Sequence, residues 1–261
     1  MGVLNVTPDS FSDGGRHFEP AAAITGGLEM LSHGADIVDV GGESTRPGAS
    51  PVDTVEELRR VVPVISELRN AQPDAVLSVD TSKIEVAAAA LEAGADIVND
   101  VTAGSAPGML ELVAEHGAAI VLMHMRGEPR TMQTELGYRH VVAEVHGRLI
   151  ERAAAALAAG IERQRVWLDP GIGFGKDDEG NLALLAALPD LASHDHPVLV
   201  GPSNKSFLGR LTGAPVDDRL PGTLGALIAI LEIERGVARV HDPAAAVQFL
   251  EIAVRVREVS A

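Results

Sequence analysis

A short phrase recurs along the chain: a glycine, a few apolar residues, then a polar residue where the apolar run stops. It reads GADIVD at 34–39, GADIVN at 94–99, GAAIVLMH at 117–124 and GVARVH at 236–241, with a looser copy at 160–169. Glycine just past a helix is a common stop signal, because it enters the left-handed conformation without a steric penalty. A run of four or five mostly β-branched residues then predicts a strand buried on both faces. Helix, glycine, buried strand and polar tip, repeated, is the pattern of parallel βα units. Ligands in such sheets bind at the carboxyl ends of the strands, so the polar tips are the first candidates for a site.

The same patterning places strands near 3–5, 37–40, 76–80, 97–99, 119–123, 166–169, 198–201 and 238–241. Helical periodicity fills the intervals at roughly 20–32, 54–70, 83–93, 108–116, 138–159, 179–188, 221–235 and 243–259. Strands and helices therefore alternate, eight of each. A (β/α)8 barrel takes about 250 residues, and the chain has 261. The expected fold is an α/β TIM barrel spanning 1–261 as one domain, with the site at the carboxyl ends of the strands. A doubly wound open sheet is the alternative.

Composition narrows the class. A hydrophobic fraction of 46% supplies one large core. Cysteine is absent, which excludes disulfides and thiolate metal sites. There is no apolar run of about 18 residues and no signal-peptide pattern, so a cytoplasmic enzyme with no membrane partner is expected. A net charge of −16 argues against nucleic acid as a partner.

Chemistry gathers after the strands. Asn5 leads into a polar, glycine-rich loop, and strand 2 runs into GGESTRPG at 41–48, whose hydroxyls and arginine suit an anion. Asp80, Asn99, Asp100 and Asp169 end strands 3, 4 and 6. A lone strand-end aspartate also serves as a helix N-cap; several converging on one mouth point to a ligand with paired N–H donors. Lys205 follows strand 7, and Arg239 and His241 share one face of strand 8. With Arg46 opposite, these cations would form a positive pocket where barrels bind phosphate. A surface pair between Arg239 and Asp242 is the competing arrangement. His124 reads as structural, Met123 as an apolar wall, and His33, His194 and His196 as surface residues.

The residues then resemble a known family. MGVLNVTPDSFSDGG at 1–15, DVGGESTRPG at 39–48, SVDT at 78–81, DPGIGFGK at 169–176 and RVH at 239–241 resemble dihydropteroate synthases, over the whole chain and in order. That family is a (β/α)8 barrel, inhibited by sulfonamides. It joins 6-hydroxymethyl-7,8-dihydropterin pyrophosphate to p-aminobenzoate and releases pyrophosphate. The resemblance implies that Asp169 accepts paired hydrogen bonds from the pterin, that Asn99 and Asp80 read its remaining nitrogens, and that Lys205 donates to its polar edge. It implies that Met123 and Phe174 line the ring pocket. Arg239, His241, Asn5 and Thr45 would hold the pyrophosphate, with Mg²⁺ bridging it to Asn5 and Asp13. Phe11, Arg46, Pro47 and Ser206 would form the p-aminobenzoate side. Asp80 would stabilise the cation left when the C–O bond breaks, with Arg239, His241 and Lys205 as its catalytic companions. A homodimer is usual in the family.

Two departures stand out. The family usually has Ser-Arg-Lys after strand 7, whereas this chain has Ser203, Asn204 and Lys205. The family also has a hairpin before strand 1, and here strand 1 begins at the first residues. Two other functions stay open at this point: a non-catalytic or divergent pterin-binding homologue, and a pterin-dependent methyltransferase.

Overall fold

The computed structural model describes residues 1–7, 20–44, 51–127 and 137–260. Its strands are β1 (Gly2–Asn5), β2 (Ile37–Gly41), β3 (Val76–Asp80), β4 (Ile97–Asp100), β5 (Ala119–Met123), β6 (Val166–Asp169), β7 (Val198–Val200) and β8 (Gly236–Ala238). All are parallel and lie side by side in sequence order. A doubly wound sheet needs a switch point where that order reverses, and this order has none. A bridge between Gly2 and Val240 joins β1 to the segment after β8, with Val3 N–H donating to the Val240 carbonyl at 2.9 Å and Val240 N–H to that of Met1 at 3.0 Å.

The helices are α1 (Pro20–Ser32), α2 (Thr54–Ala71), α3 (Ile84–Glu92), α4 (Met109–Glu115), α5 (Val141–Ala158), α6 (Asp178–Ala186), α7 (Leu188–Ala192), α8 (Ser206–Thr212), α9 (Leu220–Ala226) and α10 (Pro243–Ser260). They form where the apolar period predicts a stripe. In α2, Val61, Val64, Ile65 and Leu68 are buried along one face, and Asp53 caps the start by accepting the Glu56 N–H at 2.8 Å.

Strand alternation sorts the core into two layers. Val38, Val40, Leu77, Val79, Val98, Ile120, Leu122, Leu168 and Val200 face the helices in one large cluster. Their neighbours point to the concave side, where Met1, Ile37, Ile97, Ala119, Val121 and Leu199 form a smaller plug with Trp167 and Val237. Higher on that same face, toward the carboxyl ends, the period-2 positions turn polar: Asp39, Ser78, Asp80, Asn99 and Asp169. The alternation that builds the core therefore also aims the polar tips.

The expected elements needed four adjustments. The single helix at 179–188 is two, because Pro189 lacks the N–H that would continue the first and instead opens α7. The helix expected at 221–235 is α9 followed by a 3₁₀ turn, Leu227–Glu232. The helix α8, unforeseen, follows β7; buried Phe207 and Leu208 anchor it and Gly213, at φ 76°, ends it. Finally, β8 begins at Gly236 and stops at Ala238, short of the expected end at 241. Its ladder partner β7 ends at Val200, and past it Val240 pairs with β1 instead.

The layered core yields a prediction. Leu122 is fully buried between β5 and the helices. Leu122→Ala should destabilise the fold by about 2–5 kcal/mol, seen in urea unfolding as a lower midpoint with an unchanged slope.

Candidate active site

The strand ends converge. Asp80 at the end of β3 is register partner of Asn99 in β4, and Met123 at the end of β5 is partner of Asp169 in β6. These four side chains line one recess with Val101, Ile172, Phe174, Gly201, Lys205 and Arg239. Seven residues expected at the site from the sequence, Asp80, Asn99, Met123, Asp169, Phe174, Lys205 and Arg239, thus share one concavity.

A buried ion cluster forms its floor. Arg239 donates from Nε to Asp39 Oδ2 at 2.7 Å and from Nη2 to Asp80 Oδ2 at 2.6 Å. Asp39, fully buried, also accepts Ser78 Oγ at 2.6 Å and Asn99 Nδ2 at 3.0 Å. These contacts replace the surface pair with Asp242. They also correct the picture of a uniformly positive pocket: two carboxylates flank Arg239, because a buried guanidinium needs a counter-charge. Burial, opposed by Arg239, pushes the Asp80 carboxyl up to about 7. Burial works against the charged form of Arg239 too, but Asp39 and Asp80 outweigh it and hold its pKa above the ordinary value. Asp39 was not singled out as a site residue, although its place in GADIVD at 34–39 matches that of Asn99 in GADIVN at 94–99.

The turn after β6 supplies the next wall. Asp169 is buried and accepts the Gly171 N–H at 2.7 Å; burial raises its pKa. Lys176 lies beneath this turn, almost wholly buried. Its Nζ donates to the carbonyls of His124, Gly171 and Phe174 at 3.1, 2.9 and 2.8 Å. Burial lowers its pKa to about 7. The Gly173 N–H is held by Asn181 Oδ1 at 2.6 Å. This network sets Phe174 against Met123, Val101 and Met125. Lys205 Nζ lies 3.8 Å above the Phe174 ring, a cation–π contact that leaves its charge at the recess. Lys176 carried no role in the sequence reading; a lysine closing a glycine-rich run was the only signal for it. At His124, burial lowers the ring's pKa to about 3, so the ring is neutral, and the backbone carbonyl holds Lys176.

Asp100 is the strand-end carboxylate that serves a turn. It accepts Thr102 N–H, Thr102 Oγ1 and Gly104 N–H at 2.7, 2.7 and 2.9 Å. Beside it, the loop after β2 leaves through a charged anchor. Lys83 Nζ bonds both Glu43 and buried Glu57, Thr81 Oγ1 donates to Glu57 at 2.6 Å, and Arg60 donates to the Gly42 carbonyl at 2.8 Å.

Comparison with known proteins assigns this geometry. A family model described as "Pterin binding enzyme" matches residues 1–241. The dihydropteroate synthase of Mycobacterium leprae is 48% identical over 262 residues, covering 97% of this chain and 91% of that protein. A structure of Xanthomonas albilineans dihydropteroate synthase with 4-aminobenzoic acid superposes with a TM-score of 0.90 at 48% identity, covering 98% of this chain and 92% of that one. The same enzyme in complex with 7,8-dihydropteroate superposes at 0.87 with 46% identity over 98% and 92% of the two chains. The chain belongs to the dihydropteroate synthase family of pterin-binding enzymes.

The other positions expected from that family fall as follows. His241 does not line the recess; it is exposed, with Nδ1 2.9 Å from Ser203 Oγ. Ser206 is exposed at the start of α8, and its Oγ accepts from Arg210 Nη1 at 3.1 Å. Asn5, half-buried, ends β1 on the face of Met1. Phe11, Asp13, Thr45, Arg46 and Pro47 lie outside the described residues. Asn204, which replaces the family's arginine, has φ 57°; its N–H donates to Thr223 Oγ1 at 3.1 Å and its carbonyl accepts from Arg219 Nη1 at 3.0 Å. Asparagine is one of the few side chains that tolerates this left-handed backbone. His33 and His194 are exposed as expected. His196 is not: it is buried, with Nδ1 3.0 Å from the Val166 carbonyl and Nε2 3.1 Å from Arg163 Nη1, because the chain entering β7 turns it inward.

The turn after β6 makes a test. Gly171 has φ 68°, and a Cβ there would sit 2.0 Å from the His124 carbonyl oxygen, a backbone atom. Gly171→Ala should move the turn, displace Phe174 and Lys176, and abolish pterin binding in calorimetry while thermal unfolding stays cooperative.

Proposed function

We propose that this chain condenses 6-hydroxymethyl-7,8-dihydropterin pyrophosphate with p-aminobenzoate to give 7,8-dihydropteroate and pyrophosphate, the transferase step of its family in folate biosynthesis. The observation that carries this reading is the recess itself: three acceptor-bearing tips, Asp80, Asn99 and Asp169, face an apolar wall of Met123 and Phe174. A flat heterocycle with paired N–H donors fits such a site, as a carboxylate fits the parallel donors of a guanidinium. The sheet would be a closed (β/α)8 barrel, one domain over 1–261; the pairing of β1 with the segment at Val240 supports this.

In the reaction, Asp169 would accept from the pterin amino group and ring N–H. Asn99 and Asp80 would take the remaining pterin nitrogens, and Lys205 would donate to its polar edge. Arg239 spends Nε and Nη2 on Asp39 and Asp80, so its Nη1 donors would meet the pyrophosphate beside His241. Preorganised donors of this kind act on the charge that builds up as the C–O bond breaks. The reduced pterin would delocalise positive charge, which the Asp80 carboxylate would stabilise until the aniline nitrogen of p-aminobenzoate attacks. That nitrogen is nucleophilic enough toward a cation to need no strong base. Thr45 would join Arg239 and His241 on the pyrophosphate, and Phe11, Arg46, Pro47 and Ser206 would form the p-aminobenzoate side.

Asn5 and Asp13 would hold Mg²⁺. Asn5 offers a hard oxygen donor at the end of β1, which suits an ion that binds through one or two protein oxygens plus substrate phosphates. Bound there, Mg²⁺ would neutralise charge on the leaving pyrophosphate. Two copies would pair through the apolar side chains exposed on α10 and nearby, among them Ile252, Val259 and Ile228. Among the described residues no helix is long and apolar enough to cross a membrane, and the cytoplasm is the compartment we propose.

Incubation with the pterin pyrophosphate, p-aminobenzoate and Mg²⁺ should release pyrophosphate and form 7,8-dihydropteroate; a pterin bound without turnover would point to the non-catalytic homologue. Asp169→Asn replaces an acceptor by a donor facing the pterin N–H groups. It should weaken pterin binding by roughly 2–4 kcal/mol, measured by calorimetry. The Asp80 group, raised to about 7 by burial, carries charge only above that pH. That value belongs to the ligand-free protein, so kcat/KM should fall as pH drops through 7. In Asp80→Asn the same pH series should be flat and low.

A further inference from the structure

Lys205 is carried by the loop after β7, yet its side chain lies along the turn after β6. A Cβ at Gly173 would sit 2.9 Å from the Lys205 Cδ and 3.3 Å from its Cγ, so the lysine stem runs across a peptide that is bare of any side chain. Its Nζ ends 3.8 Å from the centre of the Phe174 ring. That seat is firm. The Gly173 N–H is held by Asn181 Oδ1 at 2.6 Å. The fully buried Asn181 is itself fixed, its Nδ2 donating to the carbonyls of Asp177 and Lys176 at 2.8 and 3.3 Å.

Two carboxylates share the recess with this ammonium. Asp80 pairs with Arg239 at 2.6 Å and Asp169 accepts the Gly171 N–H at 2.7 Å, while the Lys205 ammonium stands on the ring. Burial raises the pKa of Asp169, and Lys205 is one of the cations that oppose it, so the two charges act on each other across the recess. A lysine is a point charge on a flexible stem. Its attraction to a carboxylate grows as water is excluded, and without a seat the ammonium would fold onto Asp169. A neutral heterocycle would then have to break an ion pair before its N–H groups reached the acceptor. A cation–π contact competes with that collapse and occupies no carboxylate oxygen.

We propose that Phe174 is a positioning residue for Lys205: with the Gly173 peptide under the stem, its ring holds the ammonium on an aromatic face and keeps it off Asp169 and Asp80, the carboxylates that the pterin must reach. This deepens the pterin reading above and rests on it. The recess is thereby set for its ligand in advance, with the acceptors open and the donor of Lys205 already beside the polar edge it would meet.

The test separates the seat from the wall. Its probe is 6-hydroxymethyl-7,8-dihydropterin, with affinity read by calorimetry. Phenylalanines carrying one, two and three ring fluorines are installed at position 174 alone. Fluorine drains the negative face of the ring and nearly keeps its shape, so the wall stays while the seat weakens. Affinity should fall stepwise, by roughly fivefold at three fluorines. In Lys205→Met, which keeps the stem and removes the charge, the same series should be flat. A ring that serves only as a wall gives the same trend in both backgrounds, and that result overturns the inference. So does an affinity that rises with fluorination, which would mean that the lysine must leave the ring to admit the ligand. Wild-type protein that fails to bind the probe sinks the pterin reading instead. A measurement without ligand covers a Lys205→Met protein too weak to titrate. The methylene protons beside the Lys205 ammonium should be shifted upfield by the Phe174 ring current in nuclear magnetic resonance spectra of the wild type. Ordinary lysine shifts for those protons overturn the inference.

Discussion

The site depends on one guanidinium held between two carboxylates. Arg239 is separated from Asp39 by 200 residues and from Asp80 by 159, and it bonds both. Burying three charges is costly, and each must find partners. Asp39 finds Ser78 and Asn99 besides the arginine. Asp80 has the arginine but also Asp39 nearby, and the result is a carboxyl pushed up to about 7 by burial. The cluster ties the segment after β8 to β2, β3 and β4. Removing Arg239 would leave two buried carboxylates without their counter-charge, so these positions are coupled and substitutions among them will not add.

Above and below this cluster the concave face is layered. The apolar plug from Met1 to Val237 closes the amino-terminal side. The polar layer follows, and the apolar pair Met123 and Phe174 roofs the recess. A heterocycle entering it meets carboxylates at its edge and hydrophobic surface on its faces. The low dielectric that burial creates strengthens each hydrogen bond to the ligand and raises the cost of a mismatched one. The turn after β6 is braced from beneath by Lys176 rather than by regular structure. Three carbonyls converge on its ammonium, matching the three donors it carries.

The sequence by itself determined the alternation of strands and helices, since a buried parallel strand and an amphipathic helix each leave a local period in the chain. It also determined the polar tips. Asp80, Asn99 and Asp169 stand where apolar runs stop, and period 2 sends them to one face. The glycine-rich run at 169–176 was legible because few other residues make such a turn. Less legible were the short elements: α8 has only seven residues, too few for a period, and β8 ends where its neighbour does rather than where its apolar residues do. Tertiary structure alone decided which charges meet. Nothing near Arg239 in the chain names Asp39 and Asp80 as its partners over Asp242. That choice comes from the segment after β8 lying alongside β1, which carries the arginine to the concave face of β2 and β3. The same holds for Lys176, whose carbonyl partners include one 52 residues away. A hydrogen bond between distant segments has no local period to announce it.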